Sequence, residues 1–103
     1  MNLDALKRFE ESEDYFKLTK VDSKRPSLVG VGQFETGVFR LVKMPADSYG
    51  PEWVSVCIMG GSGINPRFLR TSPIVKIVDH DENSTTFETE GGVYRLEKYN
   101  GNT

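Results

Sequence analysis

Cysteine occurs once in this chain, at Cys57, and histidine once, at His80. A lone cysteine excludes an intrachain disulfide, and one residue of each kind excludes the usual Cys/His zinc sites. Long apolar runs are missing too. WVSVCIM, residues 53–59, is the most hydrophobic stretch, far short of the ~20 residues of a membrane span. No membrane partner is expected. Charge of one sign is not in excess: 13 basic and 15 acidic residues leave a net −2, which argues against a bulk electrostatic nucleic-acid binder. The N-terminal stretch MNLDALKRFEESED is charged throughout and reads as no signal peptide. Together with the unpaired cysteine, this leads us to expect a reducing, cytoplasmic compartment. Asn83-Ser84-Thr85 spells a glycosylation acceptor, which carries little weight without a secretion signal.

What is present suits one folded domain over residues 1–103: 37% hydrophobic and 27% charged residues exclude a wholly disordered chain. Charge is unevenly spread. Residues 1–14 carry a net −3, residues 15–43 a net +4 and residues 44–103 a net −3. The middle segment is either a basic face or an ordinary solvated β surface.

Leu3, Leu6 and Phe9 recur at three-residue spacing behind Asn2 and Asp4, both able to cap a first turn, so residues 1–12 predict a short helix. Such a helix is marginal alone and must lie on the sheet or plug a barrel end. Strand-like runs follow at 15–21, 28–34, 38–44, 53–59, 74–78, 85–89 and 93–96, separated by turn-forming chemistry. Gly30 and Gly32 fit a sharply coiled strand, and Glu35-Thr36-Gly37 a hairpin loop. Both faces of 38–44 are apolar, which predicts a central strand or one covered on both sides. Residues 60–66 read as the longest flexible segment, Phe68-Leu69-Arg70 as the start of the C-terminal unit, and 99–103 as a polar tail. The expectation is a mainly β domain: a small antiparallel SH3-like or partly closed barrel with a short N-terminal helix.

No constellation carries chemistry strongly. His80 in DHDEN lies between carboxylates, as an acid–base histidine would, but adjacent turn residues point apart. A Cys57–His80 pair would need the thiol in a polar cleft, and Cys57 sits in an apolar run. Asp79, Asp81, Glu82 and Asn83 lack the spacing of a calcium loop. The GGSG at 60–63 is a strand connection or an anion nest. More informative is the loop 45–52 leading into Trp53: Tyr49 beside prolines, and Trp53, are recognition aromatics or simply cover the barrel. Arg67 and Arg70 flank Phe68-Leu69, either to engage phosphate or nucleic acid or as ordinary edge-strand residues with Phe68 inside.

The C-terminal third, LRTSPIVKIVDHDENSTTFETEGGVYRLEK, resembles a pattern in short phage and bacterial accessory proteins of small β-barrel type. The pattern is Thr-Ser before an apolar strand, a polar turn, a threonine-bearing strand, a turn, then a small residue and Tyr-x-Leu. Those proteins often carry an asparagine–serine pair in the last turn, where this chain has Gly91-Gly92. The resemblance implies a stand-alone small barrel that acts by binding, and it names no catalytic residue.

The reading is therefore a non-enzymatic protein-binding module using Tyr49, Trp53, Arg67 and Arg70, with no cofactor and no metal. Inhibition of a host nuclease or defence factor is its concrete phage-type form. Two alternatives stand beside it. One is a nucleic-acid-binding barrel using the +4 segment with Tyr15, Phe16 and Phe68. The other is a small-molecule or nucleotide-sequestering oligomer that uses the Gly-rich loops and dimerises through an edge strand.

Overall fold

Antiparallel pairing joins every strand of the computed structural model, which describes residues 2–12, 14–61 and 64–99. One helix, α1 (Asp4–Ser12), precedes β1 (Phe16–Ser23), β2 (Phe34–Met44), β3 (Trp53–Gly61), β4 (Pro66–Arg70), β5 (Ile74–His80), β6 (Ser84–Thr89) and β7 (Gly92–Lys98). They form one sheet in the order β4-β3-β2-β1-β7-β6-β5. The mainly β, partly closed barrel with a short N-terminal helix is what the strand spacing led us to expect.

β2 is the organising strand. Its first half pairs with β1, from Phe16↔Gly37 to Thr19↔Phe34. Its second half pairs with β3, from Val38↔Met59 to Met44↔Trp53. The exchange of partners falls at Gly37, where the backbone passes close to β3. A Cβ on Gly37 would fall on the Met59 carbonyl oxygen, and one on Gly60 on the Thr36 carbonyl oxygen. Beyond Gly37 the β2 edge that β1 has left still needs hydrogen-bond partners. Helix α1 supplies one: Glu10 Oε2 accepts the Leu41 N–H at 2.6 Å. The helix itself is capped by Asn2 Oδ1, which accepts the Asp4 N–H at 2.9 Å.

The apolar face of α1 (Ala5, Leu6, Phe9) is buried on the sheet. Phe9, Phe16 and Phe39 run as an aromatic chain with centroids 5.0 and 4.9 Å apart, the second pair edge-on, a geometry worth about 0.5–1.5 kcal/mol per pair beyond burial. Phe87 stacks on Tyr94 at 5.9 Å, and burial raises the Tyr94 phenol above the ordinary tyrosine value. Along β1 the inward positions are Phe16, Leu18 and Lys20. The lysine is 1% exposed. Its stem lies beside Tyr94, its Nζ 6.0 Å from the ring centroid, and its ammonium donates to the Val29 carbonyl at 2.8 Å.

Laid flat, seven strands would separate β4 from β5 by about 29 Å. Arg70 and Ile74 are four residues apart, a reach of at most ~14 Å, so the sheet has to curl. Thr71 and Ser72 stitch the curl. The Thr71 N–H donates to the Val56 carbonyl (2.9 Å) and Thr71 Oγ1 accepts the Val56 N–H (3.0 Å). Ser72 Oγ accepts the Gly91 N–H at 2.8 Å and donates to Thr89 Oγ1 at 3.1 Å. The Glu90 N–H reaches the Pro73 carbonyl at 3.1 Å.

Several expected boundaries are corrected. Residues 28–33 are a loop, not a strand: Gly32 takes φ 90°, Gln33 Oε1 accepts the Gly30 N–H, and Leu28 stands fully in solvent. Glu35, Thr36 and Gly37 belong to β2 rather than to a hairpin loop. Gly60 and Gly61 extend β3 and Pro66 opens β4, so 60–66 is a strand-to-strand connection, of which Ser62 and Gly63 lie outside the described residues. Of the expected polar tail, residues 100–103 also lie outside them, while the Tyr99 N–H bonds to the Tyr15 carbonyl at 3.0 Å.

Candidate outer-face interface on β2, β3 and β4

Side chains alternate across a strand, and the register of β2, β3 and β4 sorts them. Phe39, Leu41, Val54, Val56, Ile58 and Leu69 belong to the core or pack against it. The opposite parity forms cross-strand rows on the outside. Val38, Met59 and Phe68 make one row. Arg40, Cys57 and Arg70 make the next, about 7 Å along. Val42 with Ser55, then Met44 with Trp53, complete the face. Phe68 is 73% exposed, Met59 56% and Met44 42%.

An outward face of an antiparallel sheet is normally polar. The β1–β7–β6 part of this same sheet is mostly polar there: its outward cross-strand positions are Lys17, Thr19, Arg95, Glu97, Ser84, Thr86 and Glu88, with Val93 and, opposite Thr19, the exposed Phe34 as its apolar members. The β2–β3–β4 half departs from that rule, with exposed apolar side chains on both sides of the Arg40–Cys57–Arg70 row.

The arginines set the electrostatics. Arg70 lies over the Trp53 ring, its Cζ 5.5 Å from the centroid, and its Nε donates to Ser55 Oγ at 3.4 Å. This cover explains how Ser55 is fully buried on an outward position. Among the described residues Arg40 donates to its neighbour's carbonyl, on Phe39, at 2.9 Å. Among the described residues the ion pairs join Glu88 to Lys24 and to Lys76 (3.5 Å); neither Arg40, Arg67 nor Arg70 takes part in one. The hydrogen bond from Lys24 holds the Glu88 carboxyl below the ordinary glutamate value.

Three of the four residues singled out by sequence come together. Trp53 and Arg70 are in direct contact. Tyr49, 96% exposed, tips the turn 47–50, where Asp47 Oδ1 accepts the Tyr49 and Gly50 N–H groups. It lines a shallow groove with Met44, Pro45, Pro51, Trp53 and Glu90. Arg67 is placed apart: it shares the parity of Leu69, opposite Gly60, and so leaves the outer face. The expected inward Phe68 is reversed, with Leu69 taking the core position. Met59, Val38, Val42, Met44 and Arg40 were not singled out from sequence. Their signal was the shared parity of 38, 40, 42 and 44 opposite 59, 57, 55 and 53, which only the register reveals.

The remaining candidates disperse. His80 is exposed and lines a groove with Asn2, Asp4 and Arg8 beside α1, whereas Cys57 sits half-buried on the outward side of β3. Asp81 Oδ1 accepts the Asn83 and Ser84 N–H groups at 2.7 and 2.9 Å, which lowers its pKa and makes DHDEN a turn-forming device. Phe16 is wholly buried and presents no ring for base stacking. Among the described residues no group of three or more His, Cys, Asp or Glu could hold a metal ion, and no helix is long and apolar enough to cross a membrane.

Compared with protein-family models, curated proteins and solved structures, the chain matches none.

Proposed function

We propose that this protein is a non-catalytic binding module whose outer β2–β3–β4 face docks a protein partner. The single observation that carries the reading is the contrast within one sheet: outward rows on β1, β7 and β6 that are polar except at Val93, and apolar rows split by Arg40 and Arg70 on β2, β3 and β4. Aromatic and methionine side chains beside arginine are the composition of an interface centre. The partner surface that fits is apolar with carboxylates at the height of the arginine row. Inhibition of a host nuclease or defence factor is one form this binding could take, in line with the phage-type resemblance.

The test is affinity capture with the wild-type protein and two variants of equal thermal stability. Met59→Asp puts a charge into the apolar row; Arg95→Glu alters the polar outward face of β7. A nuclease-resistant protein held by the wild type and Arg95→Glu, and reduced at least about tenfold by Met59→Asp, is the expected result. Equal retention by Met59→Asp would overturn the reading. Recovery of nucleic acid alone would replace it with the basic-segment alternative.

A further inference from the structure

We propose that the free edge of β4 is a strand-addition site, which takes an extended partner segment carrying a carboxylate opposite Arg70 and an apolar side chain opposite Phe68. This deepens the protein-binding reading and rests on it.

β4 ends the sheet order, so one of its two edges has no strand beside it. The direction in which its backbone groups point follows from one bond. The Thr71 N–H donates to the Val56 carbonyl at 2.9 Å, so the Thr71 position faces β3. Antiparallel ladders alternate bonded and non-bonded pairs. With Leu69↔Ile58 and Arg67↔Gly60 in register, Leu69 and Arg67 turn their amides and carbonyls toward β3. Phe68 and Arg70 therefore turn theirs away, toward the open edge.

The side chains of these same two residues lie on the outer face. An added antiparallel strand would place the residue facing Arg70 at the end of the Arg40–Cys57–Arg70 row. The residue two positions later would extend the Val38–Met59–Phe68 row. The segment thus reads, from its N-terminus, acidic residue, any residue, apolar residue. Backbone pairing supplies adhesion and the alternate side chains supply selectivity, as in strand addition generally.

Charge decides between a foreign segment and a second copy of this chain. Two β4 edges brought together would line up Arg67 and Arg70 of both copies along one seam. The register that sets Phe68 against Phe68 also sets Arg70 against Pro66, which has no N–H to donate. Proline and like charges on an edge are devices against self-pairing. A carboxylate-bearing segment escapes the like charge, pairs at Arg70 and Phe68 before Pro66 is reached, and gives Arg70 an ion pair that it does not make among the described residues.

The probe is a blocked peptide of about seven residues alternating threonine with glutamate and valine in that order, titrated into the isotope-labelled full chain beside a counterpart with lysine for glutamate. The acidic peptide is expected to bind at least about tenfold more tightly, to slow exchange of the Phe68 and Arg70 amides, and to leave those of Leu69 and Arg67 unchanged. Arg70→Glu should reverse the preference, so that the lysine peptide binds the variant better; this charge exchange keeps the test independent of any loss of folding. Equal affinity for both peptides would overturn the proposal. Perturbation confined to Val42, Met44 and Cys57 without slowed Phe68 and Arg70 amides would also overturn it, while leaving the face reading intact. Peptide-free dimers that bury β4 would overturn it in favour of self-pairing. Loss of the captured partner in Met59→Asp, judged separately, decides the face reading itself.

Discussion

At the scale of single residues, the inward polar groups of Lys20 and Thr85 are resolved differently. Lys20 sends its ammonium out of the core to the Val29 carbonyl and so ties the 24–33 loop to β1 while its stem packs as hydrocarbon. Thr85 is wholly buried on β6 and its Oγ1 has no hydrogen-bond partner among the described residues. An unpaired buried hydroxyl opposes folding by about 1–3 kcal/mol. Thr85→Val keeps the shape and the β-branch and removes that oxygen. We expect it to stabilise the protein by roughly 0.5–1.5 kcal/mol, read as a higher urea midpoint with an unchanged slope. A lowered midpoint would show that the hydroxyl is satisfied in solution.

At the scale of elements, the relation of α1 to β2 is the sensitive one. Glu10→Ala would leave the Leu41 amide without its acceptor on a strand edge that β1 no longer covers. A loss of about 1–3 kcal/mol is expected, with faster hydrogen exchange at Leu41; a neutral effect in both would show that the helix does not seal that edge. The same elements show what was readable beforehand. The helix, the central position of the strand at 38–44 and the three C-terminal strands followed from periodicity. Residues 28–33 did not, because Val29 and Val31 alternate with Gly30 and Gly32 as in a strand, and the positive φ of Gly32 separates the two. Gly37 was read as a turn because glycine marks turns and close approaches alike; which one applies depends on the Met59 carbonyl, distant in sequence. The candidate interface was half legible. Tyr49, Trp53 and Arg70 stood out as residue types, but WVSVCIM is apolar on both parities except at Ser55. Its outward face is therefore decided by the side on which α1 and Phe39 pack.

At the scale of the whole molecule, the curl depends on a short stretch of chain. Thr71 is bonded to β3 and Ser72 to the turn between β6 and β7, so two adjacent residues hold opposite ends of the sheet order together. Thr71→Val removes the oxygen that accepts the Val56 N–H. It should destabilise by about 1–3 kcal/mol, and the amides of Val56 and Gly91 should both exchange faster. If Gly91 keeps its protection while Val56 loses it, the two ends are held independently.

Chain order gives the sheet a timetable. β2, β3 and β4 are consecutive and pair with their immediate neighbours, whereas β1 waits for β7, with Phe16 opposite Lys98. During synthesis at about 5–20 residues per second, β1 is born several seconds before its long-range mate. The β2–β3–β4 half can assemble on the ribosome, while one flank of β1 stays open until the final strand emerges. The newborn chain thus presents its outer face to the cell before its barrel has closed, and a partner able to bind that face could meet the protein while it is still being made.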